Sequence, residues 1–302
     1  MKGRTWESDL LLLITAMIWG FAFVAQRVGM RFVGPFTFNG VRFFLGCLPL
    51  LPILFWNRKK ESHGVSFTSK TVLLGGIFAG LILFSGASLQ QVGIVYTTAG
   101  KAGFITGLYV VIVPFLGLLW RDKTTHPGTW AGAILAAVGM YFLSVTSRFT
   151  ISKGDFLVLL SAFLWACHVQ FVGWLSPRIG ATRLGVVQYC VCGALSLLVA
   201  FPTETITFSG LSKALVPILY GGFLSVGIAY TLQLVAQKKA PAAHAAILMS
   251  LETVFAALGG WIVLNETLTP RALLGCGLIL SGMLASQLYP YLVKRGNKKV
   301  EG

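Results

Sequence analysis

The sequence predicts an all-α integral membrane protein with ten transmembrane helices arranged as two inverted five-helix repeats. Three observations predict it. Long apolar runs recur through the whole 302-residue chain, basic residues alternate between successive connections, and the pattern of residues 9–145 returns in residues 154–288.

Hydrophobic residues make up 56% of the chain and charged residues only 11%, well below the roughly 25% charged of a soluble domain. The apolar content also excludes a disordered chain. Ten segments are long enough to cross a bilayer core, which takes about 20 helical residues: 9–28, 35–56, 71–90, 97–119, 128–147, 154–174, 184–202, 214–236, 241–263 and 271–291. Because the runs are continuous rather than alternating, they predict helices and not barrel strands. Gly34-Pro35, Asn57 to Lys60, His126-Pro127, Pro177, Pro202, Pro241 and Thr269-Pro270 punctuate them where helices start or stop. A signal peptide cannot account for runs that continue to the last residues.

The net charge of +15 comes from 24 basic against 9 acidic residues. In a soluble protein it would point to nucleic acid, but here the basic residues follow the membrane topology. The N-terminus (Lys2, Arg4), every second connection (Arg58, Lys59, Lys60 and Lys70; Arg121 and Lys123; Arg178 and Arg183; Lys238 and Lys239) and the tail at 289–302 hold sixteen of them. The opposite connections hold six, and Arg42 and Lys101 fall inside spans. Positive residues stay on the cytoplasmic side. The expectation is therefore a multi-pass protein of the inner membrane with both termini and a basic tail in the cytoplasm, and no nucleic-acid partner. All five cysteines fall inside spans, which indicates neither a disulfide framework nor a zinc site.

A shift of 146 residues superposes Asp9 on Asp155, Leu12 on Val158 and Trp19 on Trp165. A shift of 143 aligns Leu89-Gln90 with Leu232-Gln233, Pro127 with Pro270, Gly132 with Gly275, and Gly139-Met140 with Gly282-Met283. Each unit has five spans, and an odd number makes the second unit enter the membrane from the opposite side. Inverted repeats place two gates about a two-fold axis in the membrane plane with a site between them, the physical basis of alternating access.

The sequence resembles the EamA-type transporters of the drug/metabolite transporter superfamily. The residues that carry the resemblance are Trp19-Gly20 with Phe23, Arg42-Phe43, Leu251-Glu252 with Val254-Phe255-Ala256, and Asn265-Glu266 before the Gly275 to Gly282 helix. The resemblance implies ten helices in two repeats, a central cavity, and solute transport with no cofactor. Two departures stand out. Thr253 occupies a position where many members carry Pro, which predicts a less kinked ninth span. Gln188 stands where the repeat would place a second Arg42.

Polar and aromatic residues inside spans are the candidate site. Arg42, costly in hydrocarbon by about 3 kcal/mol on insertion scales, fits either a substrate carboxylate, held by its guanidinium fork, or a snorkelling role at the interface. Glu252 is the one acid deep within a span, near the midplane of the ninth. It suits a coupling proton, a substrate ammonium, or pairing with Arg42. Trp19, Phe23 and Gln26 follow i, i+4, i+7 spacing; Trp165 and His168, and Tyr230 and Gln233, are three apart. With Gln90 and Tyr109, the repeat equivalents of Gln233 and Glu252, they make an aromatic cavity with a few hydrogen-bonding groups or, read more plainly, packing surfaces. Lys101 and His244 are equivalent under the repeat and are candidate gate residues, against interfacial snorkelling for Lys101 and a satisfied helix-end role for His244. Asn265-Glu266-Thr267 reads as a helix cap.

There is no phosphate loop, no paired-ligand metal set and no nucleophile elbow in the sequence, so an enzyme is not expected. The expected function is secondary transport of a small organic metabolite, best read as export of amino acids or related amphipathic compounds. Uptake of such a solute, export of a cationic drug, an integral-membrane lipid enzyme and a passive channel are the alternatives. Expected partners are the lipid bilayer and a small-molecule substrate, with the chain a monomer or homodimer.

Overall fold

The computed structural model describes residues 6–56, 69–119, 127–144, 152–267 and 269–300, and among them every regular element is helical. The helices are α1 (Trp6–Gly29), α2 (Pro35–Cys47), α3 (Leu50–Trp56), α4 (Lys70–Val95), α5 (Ala99–Gly107), α6 (Tyr109–Leu119), α7 (Pro127–Ser144), α8 (Lys153–Ile179) and α9 (Ala181–Thr203). Then come two short helices, α10 (Phe208–Lys213) and α11 (Leu215–Leu219), a π-helical segment (Tyr220–Tyr230), α12 (Thr231–Ala236), α13 (Ala242–Met249), α14 (Glu252–Leu264) and α15 (Pro270–Val300).

Eight helical stretches among the described residues are long and apolar enough to cross a membrane: Trp6–Gly29, Pro35–Leu54, Lys70–Val95, Ala99–Leu119, Lys153–Ile179, Ala181–Thr203, Leu215–Ala236 and Ala242–Leu264. Lys70–Val95 and Lys153–Ile179 run several residues past the ends expected at 90 and 174. Of the two remaining segments, 271–291 falls on a shorter apolar run, Pro270–Ser286, within a helix continuing to Val300. The other, 128–147, ends outside the described residues, as do most of the basic connections and the 145–151 link.

Local chemistry explains where helices begin and end. Pro35 opens α2 after an extended Gly34, where the missing N–H of proline costs nothing. The freed donors that follow, Phe36 N and Thr37 N, reach the Glu204 carboxylate at 2.8 and 2.7 Å. Ser152 and Asp155 form a reciprocal capping box at the start of α8. Asn265 ends α14 in the left-handed conformation, φ 55°, a backbone that asparagine tolerates better than most residues.

Two spans are interrupted in the middle. The ninth, with Thr253 where the resemblance led to an expected proline, stops as a regular helix at Met249 and restarts at Glu252, the residues between keeping right-handed helical backbone. Hydroxyls bond the backbone there: Thr253 Oγ1 donates to the Ser250 carbonyl, Ser250 Oγ donates to Ile247 O at 2.8 Å, and Leu251 N and Thr253 N fall back on i−3 carbonyls. Side-chain bonds of this kind compete with the helical ladder. The fourth span breaks at Leu108, between α5 and α6, the position equivalent to Leu251 under the 143-residue shift.

In lipid there is no hydrophobic gain from helix association, so close packing must hold the bundle. The glycines of α7 and α15 provide it. A Cβ on Gly132 would sit 2.6 Å from the Gly282 carbonyl, and one on Gly139 would sit 2.6 Å from that of Gly275. The two helices therefore run antiparallel with their backbones nearly touching.

Candidate functional site

α1 brings Trp19, Phe23 and Gln26 to one face, where they enclose a cavity with residues from both halves of the chain. Every candidate substrate-binding residue of the sequence lines it: Arg42 from α2, Gln90 from α4, Tyr109 from α6, Trp165 and His168 from α8, Tyr230 from the π-helical segment, Gln233 from α12 and Glu252 from α14. Ala22, Thr106, Val169 and Ser225 complete the lining. The cavity holds about 40 Å³, room for a few water molecules, and must widen to take a metabolite.

Tyr230 is the aromatic hub. Its ring centroid lies 4.6 Å from Trp19, 6.0 Å from Trp165 and 6.3 Å from His168. The π-helical segment around it turns backbone carbonyls toward α1: Trp19 Nε1 donates to Ser225 O at 3.2 Å and Thr15 Oγ1 to Ala229 O at 3.2 Å. π-helical turns are frequent at functional sites. An apolar run such as Tyr220–Tyr230 carries no mark of a π-helical turn, so nothing in it singles out Ser225.

The polar groups divide into satisfied and unsatisfied. Gln90 Nε2 donates to Gln26 Oε1 at 3.1 Å, while Gln90 Oε1 accepts from Trp165 Nε1 at 2.7 Å. His168 Nε2 lies 2.9 Å from Gln188 Oε1, and both residues are buried. By contrast Gln233 Nε2 and Oε1, Glu252 Oε1, Tyr109 Oη and His168 Nδ1 are buried with no hydrogen-bond partner. The Tyr109 hydroxyl lies beside the Glu252 carboxyl without closing a hydrogen bond.

Arg42 is 2% exposed and so does not snorkel. Its Nε donates to Asn39 Oδ1 at 3.0 Å, and Asn39 is fixed in turn by donating to Ala87 O at 3.1 Å. The guanidinium carbon stands 5.4 and 5.1 Å from the ring centroids of Phe38 and Phe43, within cation–π range. Pairing of Arg42 with Glu252, one of the readings of the sequence, does not occur. Among the described residues neither has an ion-pair partner.

Lys101 and His244 stand apart from the cavity. Lys101 Nζ is 2.6 Å from Asp155 Oδ2, and His244 Nε2 is 2.7 Å from Asp9 Oδ1. Each pair joins the two halves of the chain. The signal for these partners is present in the repeat, which superposes the two acids and the two bases, though the acids enter the sequence reading only as markers of the repeat. In the connection beyond the ninth span, burial pushes the Glu266 carboxyl above the usual glutamate range, with the Gly100 backbone and Arg27 pulling the other way. A second hollow, of about 730 Å³, lies between α4, α8 and the 237–242 connection, walled by Phe78, Phe171 and Trp174. Among the described residues no three His, Cys, Asp or Glu side chains converge on a metal position.

The model of the EamA-like transporter family matches this chain twice, over residues 6–145 and 152–286. An uncharacterized transporter of Archaeoglobus fulgidus is 34% identical over 281 residues, covering 93% of this chain and 86% of that protein. A probable amino-acid metabolite efflux pump of Salmonella typhimurium is 25% identical, covering 96% and 97%. One of the same name from Escherichia coli is 24% identical, covering 92% and 93%. A crystal structure at 17% identity superposes with a TM-score of 0.78 over 95% of this chain and 98% of the other, a likeness of fold alone.

Proposed function

This chain is a member of the EamA-like transporter family, and from that membership we propose that it is a secondary transporter exporting amino acids or related zwitterionic metabolites by alternating access. The observation that carries the reading is the charge arrangement of the cavity. A buried cation, Arg42, and a buried acid, Glu252, line one small aromatic space, and neither is neutralised by a protein partner. Isolated buried charges are expensive, and a solute bearing both a carboxylate and an ammonium neutralises the two at once. Arg42 takes the carboxylate, Glu252 the ammonium, and the orphaned Gln233 amide and Tyr109 hydroxyl complete the polar contacts around an apolar side chain packed on Trp19, Phe23, Trp165 and Tyr230. The relatives named as amino-acid metabolite efflux pumps support both the solute class and the direction.

The architecture in this reading is ten spans in two inverted repeats, 9–145 and 154–288, with a basic tail at 289–302 and both termini in the cytoplasm. The glycine contacts support it. Exchanging each residue for its repeat equivalent turns the Gly132 to Gly282 contact into the Gly275 to Gly139 contact, as a two-fold axis between α7 and α15 requires. Glu252, near the middle of its span and without a fixed cation, is the residue placed to carry a coupling proton.

Counterflow in proteoliposomes tests the function. Vesicles preloaded with an unlabelled amino acid should accumulate the labelled one faster than empty vesicles, since a carrier exchanges and a channel does not. A panel of zwitterions, anions and cations that gives no acceleration with any amino acid overturns the solute class. Impermeant labelling of single cysteines placed at positions 2 and 150 in intact cells tests the orientation; labelling at 2 and not at 150 reverses it.

A further inference from the structure

Two ion pairs lie outside the cavity and bridge the halves of the chain at its opposite ends. Asp9 of α1 meets His244 of α13 at 2.7 Å, and Lys101 of α5 meets Asp155 of α8 at 2.6 Å. A further set of contacts fixes their relative place. Arg27 lies about 27 Å from Asp9 along α1 at 1.5 Å per residue. It donates to the carbonyls of Ile94 and Val95 at 2.9 Å each. Thr97, two residues on, donates to Asp155 Oδ1 at 2.8 Å. The Asp155 pair therefore sits at the far end of α1 from the Asp9 pair, with Trp19, Phe23 and Gln26 and their cavity between.

The repeat exchanges one pair for the other, since Asp9 aligns with Asp155 and Lys101 with His244. We propose, resting on the alternating-access reading above, that Asp9–His244 and Asp155–Lys101 are the latches of the two gates. Each holds its own end of the cavity closed, and solute passes that end only after its pair has parted. Three features support this. Both pairs cross between the halves, so that parting either one lets a gate helix of one half leave its neighbour in the other. Each has one sequestered member, Asp155 and His244 being 4% and 7% exposed against 33% for Lys101 and 18% for Asp9, so the pairs are screened less than fully exposed ones. Both are closed here, with a cavity of only about 40 Å³ between them.

The latches are unequal in build. The Asp155 carboxylate also accepts from Thr97 and from Ser152 N at 2.8 Å, and its cation is a lysine. The Asp9 pair relies on a histidine that carries charge only when protonated.

Access to the cavity reads the latches directly. Ala22 lines the cavity and is buried; Ala22→Cys, in a background whose five native cysteines are replaced by serine, reports entry of a membrane-impermeant maleimide in right-side-out and inside-out vesicles. Asp9→Asn and His244→Gln should each raise the labelling rate roughly fivefold or more from the Asp9 end alone, the size of an ordinary coupling between sites. Lys101→Met and Asp155→Asn should do so from the opposite end alone. Asn at 155 can still cap α8, so loss of the ion pair is separated from loss of the helix start. Asp9→Glu and Lys101→Arg should keep the parent rates, and melting temperatures identify any variant that merely unfolds. Rates that stay flat in all four variants, or that rise from both ends in each, overturn the proposal. Labelling needs no solute, so a one-sided response with no counterflow would sink the transport reading and leave the latches standing. Normal counterflow with flat labelling would do the reverse.

Discussion

Gln90 and Gln233 hold equivalent places in the two halves, and their surroundings could hardly differ more. Gln90 is gripped by Gln26, Trp165 and Thr106, while both amide atoms of Gln233 are buried without a partner. The other equivalent positions at the cavity differ in chemistry, and not always in the same direction. Tyr109 faces Glu252, and Arg42, propped by Asn39, corresponds to Gln188, which is spent on His168. Leaving a buried polar group unpaired costs about 1–3 kcal/mol, so orphans persist in native structures where something else completes them. The groups that wait for a ligand are divided between the halves, Arg42 and Tyr109 from the first and Gln233 and Glu252 from the second, with the chemistry unequal across each equivalent pair.

If that division is right, the largest effect comes from erasing the difference between Tyr109 and Glu252. Glu252→Gln keeps the shape and most of the hydrogen bonding but can neither release a proton nor balance an ammonium. It should lower pH-gradient-driven transport in proteoliposomes by more than about tenfold, the scale of a single charge lost from a membrane interior. Tyr109→Phe, which removes a hydroxyl already without a partner, should lower it only a few-fold. Equal losses in the two variants would show that the halves share the work evenly. If a gradient drives wild type and Glu252→Gln alike, Glu252 is not the coupling residue.

Next in size is Arg42→Gln, which copies the residue of the equivalent position, Gln188. Hydrogen bonds to charged groups contribute about 1.5–3 kcal/mol, so affinity for a zwitterion in a thermal-shift titration should fall by about ten- to a hundredfold. An amine lacking the carboxylate should lose nothing. A parallel loss for both ligands would mean that Arg42 shapes the cavity without touching the solute.

A third test compares the glutamines themselves. Gln90→Leu strands Gln26 and Trp165 Nε1 and should lower stability by about 1–3 kcal/mol, read as a lower melting temperature in detergent. Gln233→Leu removes two orphaned atoms and should leave the melting temperature unchanged or raised, while weakening solute binding. If Gln233→Leu melts as low as Gln90→Leu, then Gln233 has a partner that this form does not reveal.

Much of this site was legible in the sequence because the membrane makes polar residues expensive. Arg42, Gln90, Gln233 and Glu252 had to face something other than lipid, and the i, i+4, i+7 spacing of Trp19, Phe23 and Gln26 put three more residues on one face of one helix. What stayed hidden depended on backbone rather than on side-chain cost. The π-helical Tyr220–Tyr230 reads as an ordinary apolar run, so Ser225 carried no signal. The interruption before Glu252 goes with Ser250 and Thr253 hydroxyls bonded to the backbone, a local competition that an apolar run does not announce. Asp9 and Asp155 carry no separate signal, because an acid in the first turn of a helix has a local reason to be there and their partners are distant in sequence.

The smallest expected effect concerns the connection after the ninth span, where Glu266 lies against Gly260 of α14 and Gly100 of α5. Desolvation there raises its carboxyl above the usual range, against the pull of the Gly100 backbone and Arg27. A raised carboxyl means that the folded state prefers the neutral form. Its contribution to stability is therefore fully present below the unfolded glutamate value of about 4.3, and it is lost as pH rises through the folded value. Glu266→Gln is neutral at every pH and escapes that loss. The melting temperature of Glu266→Gln relative to wild type should therefore climb as pH is raised from about 4 toward neutrality and level off once Glu266 is ionised in both states. Since the residue is only partly buried, the change should be small, and half-exposed charges are well screened. A flat difference across that range would show that Glu266 pairs as well ionised as neutral. Arg27 would then be a real partner, and the connection of the second half would be as fully satisfied as Gln90 is in the first.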